Sequence, residues 1–170
     1  MGSPEAVIFQ LHQEDFLFLG KEYPCKSSRE ADYKMIFDDF FASDGYGVSE
    51  PYLAESCKKP CVDVLVFHRK APEDCFVHIG KMVEGINEAP EGYALTKYPA
   101  CEFLVVTTEW LPTEPEAHKG VEENEKNTQI PEGYVKDDGP DGRYILLEKM
   151  FEDREKGHRW EHWIPIKKAD

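Results

Sequence analysis

Two glutamates near the C-terminus each stand two positions before a large side chain. Glu161 precedes Trp163, and Glu148 precedes Met150. In a β-strand, residues two positions apart lie on the same face of the sheet. If both segments are strands and their register permits, the four side chains form one acidic, aromatic surface. Other aromatic residues that could line it are Tyr98, Phe103, Trp110 and Tyr46.

Such a surface suits a lipophilic cation. Aromatic rings attract cations by about 0.5–2 kcal/mol each, and a carboxylate supplies the opposite charge. A second hypothesis is a hydrolase, in which a desolvated Glu161 or Glu148 acts as general acid or base. In a third interpretation, both glutamates are ordinary solvated residues and Trp163 covers the core.

Two helices, six strands and one short edge strand are predicted from the sequence. Apolar residues at helical spacing, with a capping box of Ser27 and Glu30, predict a helix over residues 27–42. A second, exposed helix is predicted within 112–126, and a short edge strand at 45–51. Strands are predicted over 15–22, 62–69, 76–84, 101–109, 144–151 and 160–167.

The order strand-helix-strand-strand occurs twice along the chain. We expect a single domain over 1–170, with module one at 15–84, a linker at 85–98 and module two at 99–168. This predicts an α+β fold with an antiparallel sheet. In the last strand, alternation turns Ile164 and Ile166 towards the helices and Glu161 and Trp163 towards the opposite face.

Four segments resemble GyrI-like and AraC-type effector-binding domains. YPACEFLVV at 98–106, LEKM at 147–150 and IGKMV at 79–83 are each similar to a strand of that family, and EHWIPIK at 161–167 closely resembles its closing strand. The matches follow the family's order along the chain. Met150 stands where the family has a tyrosine, so that aromatic contact is not expected here.

The resemblance implies two pseudo-symmetric modules, with helices on one face of the sheet and a ligand groove on the other. It also implies a stand-alone bacterial protein that binds hydrophobic or cationic compounds, for xenobiotic sensing or sequestration. Some members of the family hydrolyse cyclopropane-bearing alkylators, which keeps the hydrolase alternative open. A haem site, as in the similarly folded SOUL-type proteins, is a more distant alternative. No cofactor or metal is expected.

Charge limits the classes of partner. The chain has 170 residues, with 34 acidic and 20 basic side chains and a formal net charge of −14. Such a charge repels nucleic acid and anionic membranes, so we expect the protein to bind neither of them directly. In addition, no helix-turn-helix pattern precedes the first predicted strand. An acidic protein-interaction module is another alternative. No apolar run is long enough to span a bilayer, and the five cysteines lack a secretory context, so we expect a cytoplasmic protein. We expect it to be a monomer or a homodimer.

Overall fold

The computed structural model of the protein describes residues 6–25, 32–55, 58, 61–71, 74–137 and 146–170. The strands in these residues are β1 Ala6–Gln13, β2 Phe16–Cys25, β3 Cys61–Ala71, β4 Asp74–Val83, β5 Ala94–Tyr98, β6 Cys101–Thr108, β7 Tyr134–Lys136, β8 Leu146–Asp153 and β9 Gly157–Lys168. The helices are α1 Tyr33–Ala42, α2 Gly45–Ser49 and α3 Glu114–Asn127, with a 3-10 turn at Glu50–Tyr52. None of the described helices is long and apolar enough to cross a bilayer.

All of these strands join one antiparallel sheet. Its order is β1-β6-β9-β8-β3-β4-β2-β5, and β7 pairs with β9 beside β8. Module one contributes β2, β4 and β3 to the sheet, and module two contributes β6, β9 and β8 in the corresponding order. The two modules meet where β3 pairs with β8. This arrangement confirms the predicted α+β fold of two related strand-helix-strand-strand modules.

The sheet curls so strongly that its two edges approach each other. Only Glu14 and Asp15 connect β1, at one edge, to β2, which lies near the other edge. Pro99 and Ala100 likewise connect β5 to β6. Such a connection spans at most about 11 Å, so the edges must come together at this end. We call the enclosed surface the inner face; its core residues are Phe18, Met82, Tyr98, Phe103, Val105, Leu147 and Trp163.

The opposite, outer face carries the helices. α3 buries Ala117 and Val121 against β6 and β9, and α1 packs Ile36 and Phe40 against β4. A capping box of Thr113 and Glu116 begins α3, and the side chain of Asp32 accepts a hydrogen bond at the start of α1. The prediction that Ile164 and Ile166 lie beneath a helix, with Trp163 on the other face, is confirmed. The predicted Ser27–Glu30 capping box lies outside the described residues.

The structure differs from the local predictions at four places. Residues 45–51 form α2 and the 3-10 turn, not an edge strand, because Asp44 turns the chain at a φ of 53° and the next residues pack back on α1 through Tyr46 and Phe40. The segment predicted as a linker contains β5, which gains its hydrogen bonds by covering the edge of β2. The N-terminal strand β1 and the short strand β7 were not predicted; β1 pairs along β6, and β7 pairs with the end of β9.

Candidate functional site

The predicted pair of Glu161 and Trp163 is present on the inner face. The indole Nε1 of Trp163 donates a hydrogen bond of 3.0 Å to Oε1 of Glu161. Both residues are buried, and each is 6% exposed. Period-two alternation along β9 places them side by side, and β6 supplies Phe103, whose ring centroid is 5.4 Å from that of Trp163. The acid and the aromatic ring are therefore close, as the sequence predicted.

Two cations of the chain itself surround this pair. The Nζ atom of Lys149 lies 4.0 Å from the centroid of the Trp163 ring. Nη2 of Arg159 is 3.5 Å from Oε2 of Glu161, and the Arg159 guanidinium also lies over the Trp110 ring at 5.0 Å. We call Lys149, Arg159, Glu161 and Trp163 the inner ion cluster. With two positive groups and one carboxylate, it has an excess of one positive charge.

The predicted association of Glu148 and Met150 with Glu161 was wrong. In the β8–β9 pairing, Glu148 lies opposite His162 and Met150 opposite Trp160, whereas Lys149 lies opposite Glu161. Directly opposed residues of an antiparallel pair share a face, so Glu148 and Met150 belong to the outer face. The two carboxylates proposed for a hydrolase therefore lie on opposite faces of the sheet.

Glu148 forms a buried ion pair on the outer face. Its Oε1 is 2.9 Å from Nε2 of His162, and Nδ1 of His162 is 2.8 Å from Oε2 of Glu125 in α3. Burial alone would lower the pKa of His162, but its hydrogen bond with Glu125 and the nearby carboxylate of Glu148 outweigh burial and raise the pKa to about 9. His162 is thus an imidazolium that holds α3 to the sheet.

The other predicted lining residues are divided between the two faces. Tyr98 and Phe103 belong to the inner core. Trp110 follows β6 and contacts the cations of Arg159 and Lys156. Tyr46 lies in α2 on the outer face, where its ring packs 4.5 Å from Phe40.

A cavity of about 550 Å³ opens where β1 and β4 end and β2 begins, and we call it the strand-end cavity. Its buried floor includes Met82, an inner-face residue, and neighbouring Val83. Its apolar lining residues are Phe16, Leu17, Ala54, Met82 and Val83, and its remaining lining residues are Gln13, Glu14, Asp15, Glu55, Glu84, Gly85 and Lys97. The eight predicted ligand-binding residues are not among them.

The rim of the strand-end cavity is acidic. It carries the four exposed carboxylates of Glu14, Asp15, Glu55 and Glu84 against the single ammonium of Lys97. Glu14 lies 3.0 Å from Nε2 of His12, Asp15 pairs with Lys97 at 3.2 Å, and Glu55 pairs with Lys58 at 2.9 Å. Glu84 forms no ion pair with any residue the structure describes. These pairs are exposed and weak, and the unpaired carboxylate of Glu84 leaves the rim with an excess of negative charge.

Sequence reasoning missed this cavity because its lining comes from separate parts of the chain. The segments 13–17, 54–55, 82–85 and the single residue Lys97 meet only when the sheet curls. The adjacent acids Glu14 and Asp15, between two apolar segments, were a signal for a tight acidic connection between strands. Within the described residues, no group of three potential metal ligands comes together.

No protein-family model and no curated protein matches the chain. Solved structures match nearly all of it. SAV2435 bound to tetraphenylphosphonium has a TM-score of 0.67 at 10% identity, covering 95% of this chain and 94% of that one. An integron cassette protein from the mobile metagenome of Vibrio cholerae has a TM-score of 0.57 at 9% identity, covering 94% and 95%. The C-terminal domain of EcmrR has a TM-score of 0.55 at 10% identity, covering 98% and 99%.

At these identities the likeness concerns the fold. It agrees with the two related modules and the curled sheet of this chain, and it confirms the GyrI-like effector-binding fold that the sequence motifs implied.

Proposed function

We propose that this protein binds a lipophilic organic cation in the strand-end cavity. The observation that carries the proposal is the combination of an apolar floor with an acidic rim in a space of about 550 Å³. That volume is within the range of about 300–1,000 Å³ usual for small-molecule sites. The biological role that follows is the sensing or sequestration of xenobiotics.

Each part of the cavity contributes a different component of affinity. Burial of aryl groups against Phe16, Met82 and Val83 gains roughly 25 cal/mol per Å² of apolar area. The lining residues of the cavity carry four carboxylates and one ammonium, and of these carboxylates Glu84 has no ion-pair partner among the described residues. A delocalised cation suits this arrangement because it is weakly hydrated and loses little on leaving water. The tetraphenylphosphonium bound to SAV2435 belongs to this class of compound.

The decisive experiment compares two ions of nearly the same shape and opposite charge. Tetraphenylphosphonium and tetraphenylborate are titrated calorimetrically into the protein under identical conditions. We expect binding of the phosphonium and at least tenfold weaker binding of the borate, because the acidic rim attracts one and repels the other. Equal affinity for both ions, or binding of neither, would contradict the proposal.

Matched variants locate the site. Glu55→Gln/Glu84→Gln removes two rim charges and should weaken phosphonium binding about tenfold, or roughly 1.4 kcal/mol. Glu132→Gln/Glu152→Gln removes the same charge from exposed positions that do not line the cavity, and it should change the affinity less than twofold. If both double variants lose affinity equally, the effect comes from net charge and the cavity is not the site.

A further inference from the structure

The inner ion cluster has the form of a cation site that is already filled. Lys149 lies directly opposite Glu161 in the β8–β9 pairing, and its Nζ is 4.0 Å from the centroid of the Trp163 ring. The same indole donates to the Glu161 carboxylate at 3.0 Å. An aromatic face beside a carboxylate is the arrangement that recognises organic ammonium ions, and here an ammonium of the chain occupies it.

Burial and charge both close this position to other cations. Lys149 is 4% exposed, and Glu161 and Trp163 are each 6% exposed. Arg159, whose Nη2 is 3.5 Å from Glu161, adds a second positive group beside the single carboxylate. An incoming cation would have to displace a tethered one and would also meet a local excess of positive charge.

We propose that Lys149 is a tethered occupant of the Trp163–Glu161 site, which excludes soluble organic cations from this part of the inner face. Lys149 thereby determines which cations this part of the inner face accepts, whatever binds in the strand-end cavity. The inference goes beyond the proposed function, because it concerns a different set of side chains and requires no ligand in the cavity.

Chemical rescue tests the proposal. Lys149→Ala removes Cγ, Cδ, Cε and Nζ, which correspond to the three carbons and the nitrogen of n-propylammonium. Millimolar n-propylammonium should raise the melting temperature of this variant and change its tryptophan fluorescence, because bound ligand stabilises the folded state. It should do neither for the wild type or for Lys149→Met, in which a side chain still fills the slot.

Neutral propan-1-ol is the control for shape without charge. If it stabilises Lys149→Ala as much as n-propylammonium does, the slot does not select a cation and the proposal is overturned. Rescue of Lys149→Met to the same extent would also overturn it, because the effect would then not depend on an empty slot.

A measurement on the wild type keeps the proposal testable if Lys149→Ala does not fold. The ε-methylene protons of Lys149 should be shifted upfield by the indole ring in the NMR spectrum, and n-propylammonium should leave that shift unchanged. A solvent-like shift, or one that returns to a solvent-like value on titration, would refute tethered occupancy. Neither experiment uses an aryl cation, so failure here is distinguishable from failure of the proposed function.

Discussion

The buried carboxylates and the carboxylates of the strand-end cavity differ in how closely the chain encloses them with its own cations. Glu161 lies beside Arg159 and Lys149, and Glu148 is paired with the imidazolium of His162. At the cavity rim, three of the four acids form only exposed ion pairs, and Glu84 forms none within the described residues, beside an apolar floor with open space above it. The carboxylates of one region are enclosed with cations of the chain, and those of the other stay accessible to a soluble cation.

The difference shows that an acid next to an aromatic ring does not by itself define a ligand site. Burying a carboxylate without a partner is costly, so a folded chain supplies that partner wherever the carboxylate is enclosed. Exposed carboxylates are stabilised by water and can stay without partners at little cost. Charge available to a ligand is therefore expected at the accessible edge of apolar surface, as at Glu84 and Met82, rather than in the densest part of the core.

The largest expected effect comes from truncating the aromatic ring of the inner ion cluster. Trp163→Ala should lower the free energy of unfolding by about 3–5 kcal/mol, because it leaves a cavity in the core and removes the contacts to Glu161 and Lys149. Phosphonium affinity should stay within twofold under conditions where the variant is folded. Urea unfolding and calorimetry measure the two quantities, with Trp163→Phe as the milder control. A tenfold loss of affinity in the folded variant would mean that the two regions act as one site.

The second-largest expected effect is the change of stability with pH that comes from the ion pair of His162 on the outer face. The raised pKa of His162 means that its contribution to stability is complete below about 6.5 and is lost as the pH rises through about 9. We expect a loss of about 2–4 kcal/mol across that range. His162→Gln should flatten this part of the stability profile, whereas His118→Gln, at an accessible position on α3, should not. A wild-type profile without this slope would show that His162 is not held as an imidazolium.

Glu161→Gln is expected to have a smaller effect that falls on stability alone. The amide keeps an acceptor for the Trp163 indole but removes the charge facing Arg159, which should cost about 1–3 kcal/mol. Adding Lys149→Met should recover part of that loss, because it removes a cation from the same cluster. Glu152→Gln, at an exposed position of β8, should change stability by less than about 0.5 kcal/mol. A tenfold loss of phosphonium affinity in Glu161→Gln would move the proposed site to the inner ion cluster.

The local pattern was sufficient to predict the faces of β9 but not its neighbours. Isoleucines at alternate positions fixed which side of the strand meets α3, and this also placed Glu161 and Trp163 on the other side. The position of Glu148 depended on the register between two strands, and parity within one strand does not set it. The connection at 154–156 sets this register. Asp153 and Gly157 pair across it, and Oδ1 of Asp153 accepts hydrogen bonds from the backbone amides of Glu155 and Lys156.

The strand-end cavity could not be predicted from local patterns. It requires the curl of the sheet, which follows from joining strands at opposite edges through two residues at 14–15 and two at 99–100. Strands β1 and β5 lie outside the repeated strand-helix-strand-strand pattern, and each pairs along a single neighbour. The long-range order of the strands therefore determined the part of the candidate site that sequence reasoning missed.

The smallest expected effect concerns salt, and it separates charge from apolar burial within the cavity. Raising the ionic strength from 0.01 M to 0.15 M shortens the Debye length from about 30 Å to about 8 Å. Because the rim carboxylates are exposed, this screening should weaken binding of tetraphenylphosphonium to the wild type about threefold. Glu55→Gln/Glu84→Gln should show a clearly weaker dependence, since it has lost two of the four rim carboxylates. If both proteins respond to salt identically, the rim does not attract the cation, and burial of the phenyl groups alone accounts for the affinity.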